Sequence, residues 1–166
     1  MNDSATNRTG NADGAAVRFP PPLIPLITIL CGVGLHWFWP LGVGTELPTP
    51  GRYWAGGIVV AASILGLGLY PVLLFRASGQ SVIPWKETPE ILIRGPYRFT
   101  RNPMYLQMVL VCIGFTIMLA NGWILALTPV AAWALCRFAI RHEEAYLEAK
   151  FGEPYREYKR RVRRWI

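Results

Sequence analysis

Apolar residues in this chain fall in four long blocks, at 23–43, 54–75, 104–120 and 123–140, with polar stretches between them. A bilayer core takes about 20 residues of helix, so each block predicts a spanning helix. Blocks three and four are separated only by Asn121-Gly122, a link short enough to make them an antiparallel hairpin. Trp37 and Trp39 suit a membrane–water interface, and His36 beside them reads as an interface residue with a local partner. The second block carries Gly56, Gly57, Ala61, Ala62, Gly66 and Gly68, small residues that let helices approach closely in lipid. Pro71 predicts a kink near its end.

The polar stretches differ in kind. Residues 1–20 are rich in Asn, Asp, Ser, Thr, Gly and Ala, too polar to pack, and predict a disordered tail. Residues 45–53 are a short Pro/Gly loop, and 76–102 form a long polar loop. The fourth helix is expected to run on through Arg137, Arg141, His142, Glu143, Glu144, Leu147 and Phe151 to a stop at Gly152. Residues 154–165 then predict a second helix. Tyr155, Tyr158, Val162 and Trp165 share one face, and Arg156, Lys159, Arg160, Arg163 and Arg164 occupy much of the rest. That is the make-up of a helix lying in the headgroup plane. The expected fold is all-α and integral to the membrane, with about four transmembrane helices plus a C-terminal amphipathic interfacial helix.

Composition agrees. At 166 residues there is one domain's worth of chain. Hydrophobic residues make up 52% and charged residues only 16%, too apolar for an ordinary soluble domain. The net charge of +7 lies beside the apolar blocks, where orientation and anionic headgroups account for it, so nucleic acid is not an expected partner. Cys31, Cys112 and Cys136 all fall inside apolar runs without a C-x-x-C pair and read as small buried residues. Two histidines exclude a His-rich metal site, and no metal is expected. Four spans with both termini cytoplasmic leave Arg52 as the single basic residue on the far side, as the positive-inside rule requires. The second loop and the C-terminal region then share the cytoplasmic side.

Two polar stretches carry the candidate chemistry. Residues 94–105 hold Arg94, Arg98 and Arg101 among Gly, two Pro and two Tyr. Gly95-Pro96 and Asn102-Pro103 are turn dipeptides, and Pro103 suits a helix start. Glu143-Glu144 is an adjacent pair in a chain with ten acidic residues. Arg137 lies seven residues before Glu144, on the same face of an unbroken helix, and Arg141 is three before it and placed to pair. Taken alone, these residues fit either a basic loop with a solvated, salt-bridged helix exit or a site. No strand precedes a Gly-x-Gly-x-x-Gly run, so a soluble dinucleotide-type fold is not supported.

Together the two stretches resemble the membrane methyltransferases typified by isoprenylcysteine carboxyl methyltransferase and the phospholipid N-methyltransferases. The matching residues are Gly95-Pro96-Tyr97, Arg101-Asn102-Pro103-Met104-Tyr105, Glu143-Glu144, Leu147, Phe151-Gly152, Tyr155, Tyr158 and Val162. They cover about residues 76–164. Asn102 stands where that family has His, and can hydrogen-bond but not become cationic. The resemblance implies an S-adenosylmethionine-dependent membrane methyltransferase whose catalytic region is 76–166, after a tail (1–20) and two transmembrane helices (21–75). It implies a cofactor pocket of Pro89, Glu90, Ile91, Leu92, Tyr97, Asn102, Pro103, Met104, Tyr105, Glu143 and Glu144. It implies catalytic roles for Glu143 and for Arg137 or Arg141. The family's substrate-side Arg aligns with Ala139, so one of these two arginines would stand in for it. The implied acceptor is lipophilic, with an isoprenylcysteine-like carboxylate favoured over a phospholipid amine or a small thiol, and membrane lipids are the surrounding partners. Methyl transfer asks mainly for positioning. Tyr97 and Tyr105 suit a sulfonium by cation–π attraction, and a carboxylate acceptor needs no base. An NADPH-dependent membrane reductase and an inactive membrane interaction protein are the competing readings.

Overall fold

The computed structural model describes residues 20–77, 91 and 93–166. The expectations for residues 1–19 and for Pro89, Glu90 and Leu92 therefore lie outside the described residues. The described chain is helical, with only the isolated bridges Gly42–Asn121 and Thr100–Arg163 in extended pairing. Its helices are α1 (Leu23–Phe38), α2 (Thr49–Ser63), α3 (Tyr70–Ala77), α4 (Pro103–Leu119), α5 (Gly122–Leu135), α6 (Arg141–Phe151) and α7 (Glu153–Arg161).

Among the described residues, two continuous helical rods are long and apolar enough to cross a membrane, Thr49–Ala77 and Gly122–Phe151. The first joins α2 to α3 through a π-helical stretch, Ile64–Leu69, and the second joins α5 to α6 through another, Cys136–Ile140. The π stretch before Pro71 meets the proline's missing N–H with a local change of winding rather than a sharp break. The second rod has 30 residues, about 45 Å at 1.5 Å per residue, against a hydrocarbon core of about 30 Å. Its charged last part, α6, extends beyond the apolar stretch. α1 and α4 are apolar but shorter, at 16 and 17 residues.

α1 ends at Phe38, short of the expected 43. Pro40 follows, and the residue before a proline leaves the helical region; Trp39 sits at φ −135°, ψ 88°. The chain then folds back on the hairpin turn. Gly122 N–H donates to Leu41 O at 2.7 Å and Val43 N–H to Ala120 O at 3.1 Å. His36 Nδ1 accepts from Leu41 N–H at 3.3 Å, the local partner its setting called for. Asn121 caps α5 by accepting from Trp123 and Ile124 N–H, while its amide donates to Gly32 O of α1 at 3.1 Å.

α4 is the central helix, packed on α1, α2 and α5. Its contact with α2 is made by glycines: a Cβ at Gly56 would lie 2.5 Å from Gly114 O, and one at Gly114 would lie 2.5 Å from Val60 Cγ2. Gly57 and Gly66 have open space instead. Cys112 is buried, but Cys31 is exposed, because it lines an open groove between α1 and α5. At one end Tyr105, Leu135, Ala139 and Ile140 form a core with Ile24, Met108, Val109, Tyr146 and Trp165 packed around it.

Candidate active site

The polar loop enters the site through a tight 3₁₀ turn, Gly95–Arg98. Gly95 adopts φ +56°, and a Cβ there would lie 2.6 Å from the Tyr70 ring, so glycine alone fits this approach. The turn sets the Tyr97 ring edge-on to Phe75, centroids 5.8 Å apart. The Tyr158 hydroxyl donates to Tyr97 O at 2.7 Å. Tyr155, Tyr158 and Val162 are buried with Ile91, Leu147 and Phe151 packed against them. Three residues of the expected apolar stripe are therefore buried together against protein, while the fourth, Trp165, packs on the Tyr105 core. The helix itself is shorter than the stretch expected at 154–165: α7 ends at Arg161, and Val162 is extended at φ −120°, ψ 131°.

Pro103 opens α4, and this first turn brings Tyr105 to the inner face. Its hydroxyl donates to Glu143 Oε2 at 2.9 Å. Neighbours on a helix point about 100° apart, so Glu144 looks elsewhere. Arg164 forks onto it, Nε to Oε1 at 3.2 Å and Nη2 to Oε2 at 2.6 Å. Arg101 Nη2 lies 3.3 Å from Oε1. Asn102 Nδ2 donates to the same oxygen at 3.4 Å and to Arg164 O at 3.2 Å. The Glu144 and Arg101 side chains are 6% and 9% exposed, so this is a buried ion cluster.

The two adjacent carboxyls are thus driven apart. Burial pushes Glu143 above the ordinary carboxylate range; the Tyr105 hydrogen bond opposes this and the Glu144 charge adds to it. Burial would raise Glu144 as well, but the Arg164 hydrogen bond, the Arg101 and Arg164 charges and Asn102 outweigh it and hold the group low. Burial, then the Glu143 charge, raises the Tyr97 phenol, so Tyr97 stays neutral.

The structure brings Tyr97, Asn102, Pro103, Tyr105, Glu143 and Glu144 to one end of the bundle, with Ile91 on the α7 side. Pro103 is buried and Met104 half-buried in the first turn of α4. Arg137 and Arg141 are exposed, and Arg137 stacks 6.0 Å over the Phe138 ring. Glu144 pairs with Arg101 and Arg164 rather than with Arg141. The seven-residue spacing that placed Arg137 and Glu144 on one face assumed a regular helix; the π-helical turn Cys136–Ile140 between them changes the register. Arg164 was missed because its sequence context is a run of basic residues, which reads as headgroup charge. Nothing local marks it as the partner of a carboxylate twenty positions earlier.

An all-helical chain with two rods able to cross a bilayer and a buried Glu–Arg–Tyr cluster at one bundle end defines a helical membrane protein with a built polar site. The chain belongs to the phospholipid methyltransferase family, whose sequence model matches residues 53–154. It is similar to protein-S-isoprenylcysteine O-methyltransferase B of Arabidopsis thaliana, 31% identical over 116 residues, covering 67% of this chain and 58% of that protein. The corresponding Saccharomyces cerevisiae methyltransferase is 35% identical over 78 residues, 46% of this chain and 33% of that protein. An uncharacterized Haemophilus influenzae protein matches over its whole length, 40% identical across 63 residues and 38% of this chain. The chain thus spans between one third and somewhat over half of these two methyltransferases. No solved structure matches it significantly. Asn102, Tyr105, Glu143 and Glu144 lie inside the family match, and Tyr158 and Arg164 lie beyond it.

Proposed function

We propose that this protein transfers a methyl group from S-adenosylmethionine to a lipophilic acceptor at the cytoplasmic face of a membrane. The observation that carries this reading is the Tyr105–Glu143 pair, a carboxylate with no basic partner among the described residues, set beside a second carboxylate that is fully ion-paired. The donor set fits the cofactor. Arg101 Nε is buried without an acceptor, and Glu143 is without a cation. A free guanidinium N–H and a free carboxylate complement the two ends of a zwitterionic amino acid. When bound, S-adenosylmethionine supplies an electrophilic methyl carbon on a sulfonium. Glu143 would hold its cationic groups, and Tyr97 and Tyr105 would offer aromatic faces to the sulfonium. Asn102, Pro103, Met104 and Ile91 would border the pocket; the resemblance adds Pro89, Glu90 and Leu92, which lie outside the described residues.

An apolar groove of about 500 Å³ runs between α1 and α5, lined by Ile24, Thr28, Cys31, Ala131 and Phe138 among others. Ile24 also packs on the Tyr105 core, so a hydrocarbon tail in the groove would end near the site. The exposed Arg137 and Arg141 are the cations available to an isoprenylcysteine-like carboxylate. A phospholipid amine is the second acceptor class, favoured by the family match itself. α1 and α4 would complete a four-span bundle with cytoplasmic termini, residues 21–75 supplying the first two spans and 76–166 the catalytic region. α7 would offer its charged outer face to headgroups.

Calorimetry of S-adenosylmethionine and S-adenosylhomocysteine on detergent-purified protein tests this. Wild type should bind both, and Glu143→Ala neither. Stabilisation by NADPH with both methyl-cycle ligands inert would replace the reading with a reductase.

A further inference from the structure

Residues 162–165 lie beyond the family match, yet they are tied to the loop at three points. Arg101 N–H donates to Arg163 O at 3.0 Å, and the Thr100 hydroxyl donates to Arg164 O at 3.0 Å. Asn102 Nδ2 reaches the same Arg164 carbonyl. The Arg164 side chain then turns inward, forks onto Glu144, and donates from Nη1 to Cys136 Sγ at 3.5 Å. One residue thus joins four pieces: the loop before α4, the π-helical turn, α6 and the segment after α7. Its neighbour Trp165 packs on the Tyr105 core.

We propose that Arg164 is a positioning residue, acting through Glu144 to hold the Glu143 turn of α6 against Tyr105 of α4 and to strap residues 162–165 across 100–102. Asn102 serves the same brace. With its amide on Glu144 and on the strap, it works as a structural tie where the family has His. This rests on the reading of Glu143 and Tyr105 as the cofactor-side pair. A bidentate arginine is what the geometry needs: lysine carries the charge but not the fork.

The charged and titratable groups around Glu143 are Tyr105 on α4, Tyr97 on the 3₁₀ turn, Tyr155 on α7 and adjacent Glu144. Arg101 and Arg164 act by neutralising Glu144. Removing the Arg164 charge therefore leaves more negative charge beside Glu143 and moves its titration to higher pH.

The test is an infrared pH titration of the protonated-carboxyl C=O band in detergent-purified full chain, with the Glu143 band assigned by its loss in Glu143→Gln. In Arg164→Gln the band should titrate about half a unit or more higher, given that a close charge moves a carboxyl by about 1–3 units directly. Arg164→Lys should titrate near wild type, and its thermal midpoint shows that the fold survives. A band at the wild-type pH in Arg164→Gln overturns the proposal. This readout needs neither cofactor nor acceptor, so it stands apart from the methyltransferase reading. Where turnover is measured, Arg164→Lys should lower kcat about tenfold with little change in acceptor KM, as misplacement of a reacting group does; an unchanged kcat would also overturn it.

Discussion

The Tyr105 hydroxyl and Glu143 Oε2, 38 residues apart in sequence, lie 2.9 Å apart and tie α4 to α6. A phenol donating to a carboxylate contributes about 1.5–3 kcal/mol when one partner is charged. Tyr105→Phe keeps the ring and loses the donor. S-adenosylhomocysteine should then bind about tenfold more weakly, and the thermal midpoint should fall by a few degrees as the tie between α4 and α6 is lost. An unaltered Kd by calorimetry would remove Tyr105 from the pocket.

Glu143 should oppose stability. Its folded-state value is raised, so the ionised group costs stability above its unfolded value of about 4.3, with the full cost present above the folded value. Glu143→Gln should therefore melt higher than wild type at neutral pH. The gain should vanish as pH falls below about 4. Paired melting curves at neutral and acid pH check the sign.

Glu144 behaves in the opposite way. It is held low, so its contribution is present above about 4.3 and is lost as pH falls through its folded value. Glu144→Gln leaves Arg101 buried without its counter-charge, at a cost of about 3 kcal/mol. The melting gap between variant and wild type should be wide at neutral pH and should narrow in acid. A constant gap would mean that the charge is not what matters.

The α2–α4 contact should tolerate nothing at position 56. Gly56→Leu drives a side chain into Gly114 O and Met118 and should lower stability by about 1–3 kcal/mol. Gly57→Leu points into open space and should melt like wild type. Equal effects of the two would contradict the packing.

The helices and their links were legible because they depend on near neighbours. Four apolar blocks, the two-residue link at Asn121-Gly122, the helix start at Pro103 and the stop at Gly152 (φ +60°) all follow from side-chain polarity and backbone freedom. Helical spacing puts Tyr155, Tyr158, Val162 and Trp165 on one apolar face; the first three are buried together, but Trp165 packs on the Tyr105 core instead. Spacing could not show what covers that face, because lipid and protein reward burial alike.

Pairing across the fold was not legible. Helix spacing predicts Arg141 beside Glu144, but Arg101 and Arg164 take that place, because the loop before α4 and the segment after α7 deliver their cations to the buried carboxylate while Arg141 stays exposed. Sequence alone determined an all-helical chain with membrane-length apolar blocks, since burial of each block depends on its own composition. Only the tertiary structure decided that adjacent glutamates would part, Glu143 to a neutral phenol and Glu144 to two arginines. Side chains about 100° apart on a helix meet different neighbours, and in a low-dielectric interior those neighbours, more than the residue type, set which charge is held.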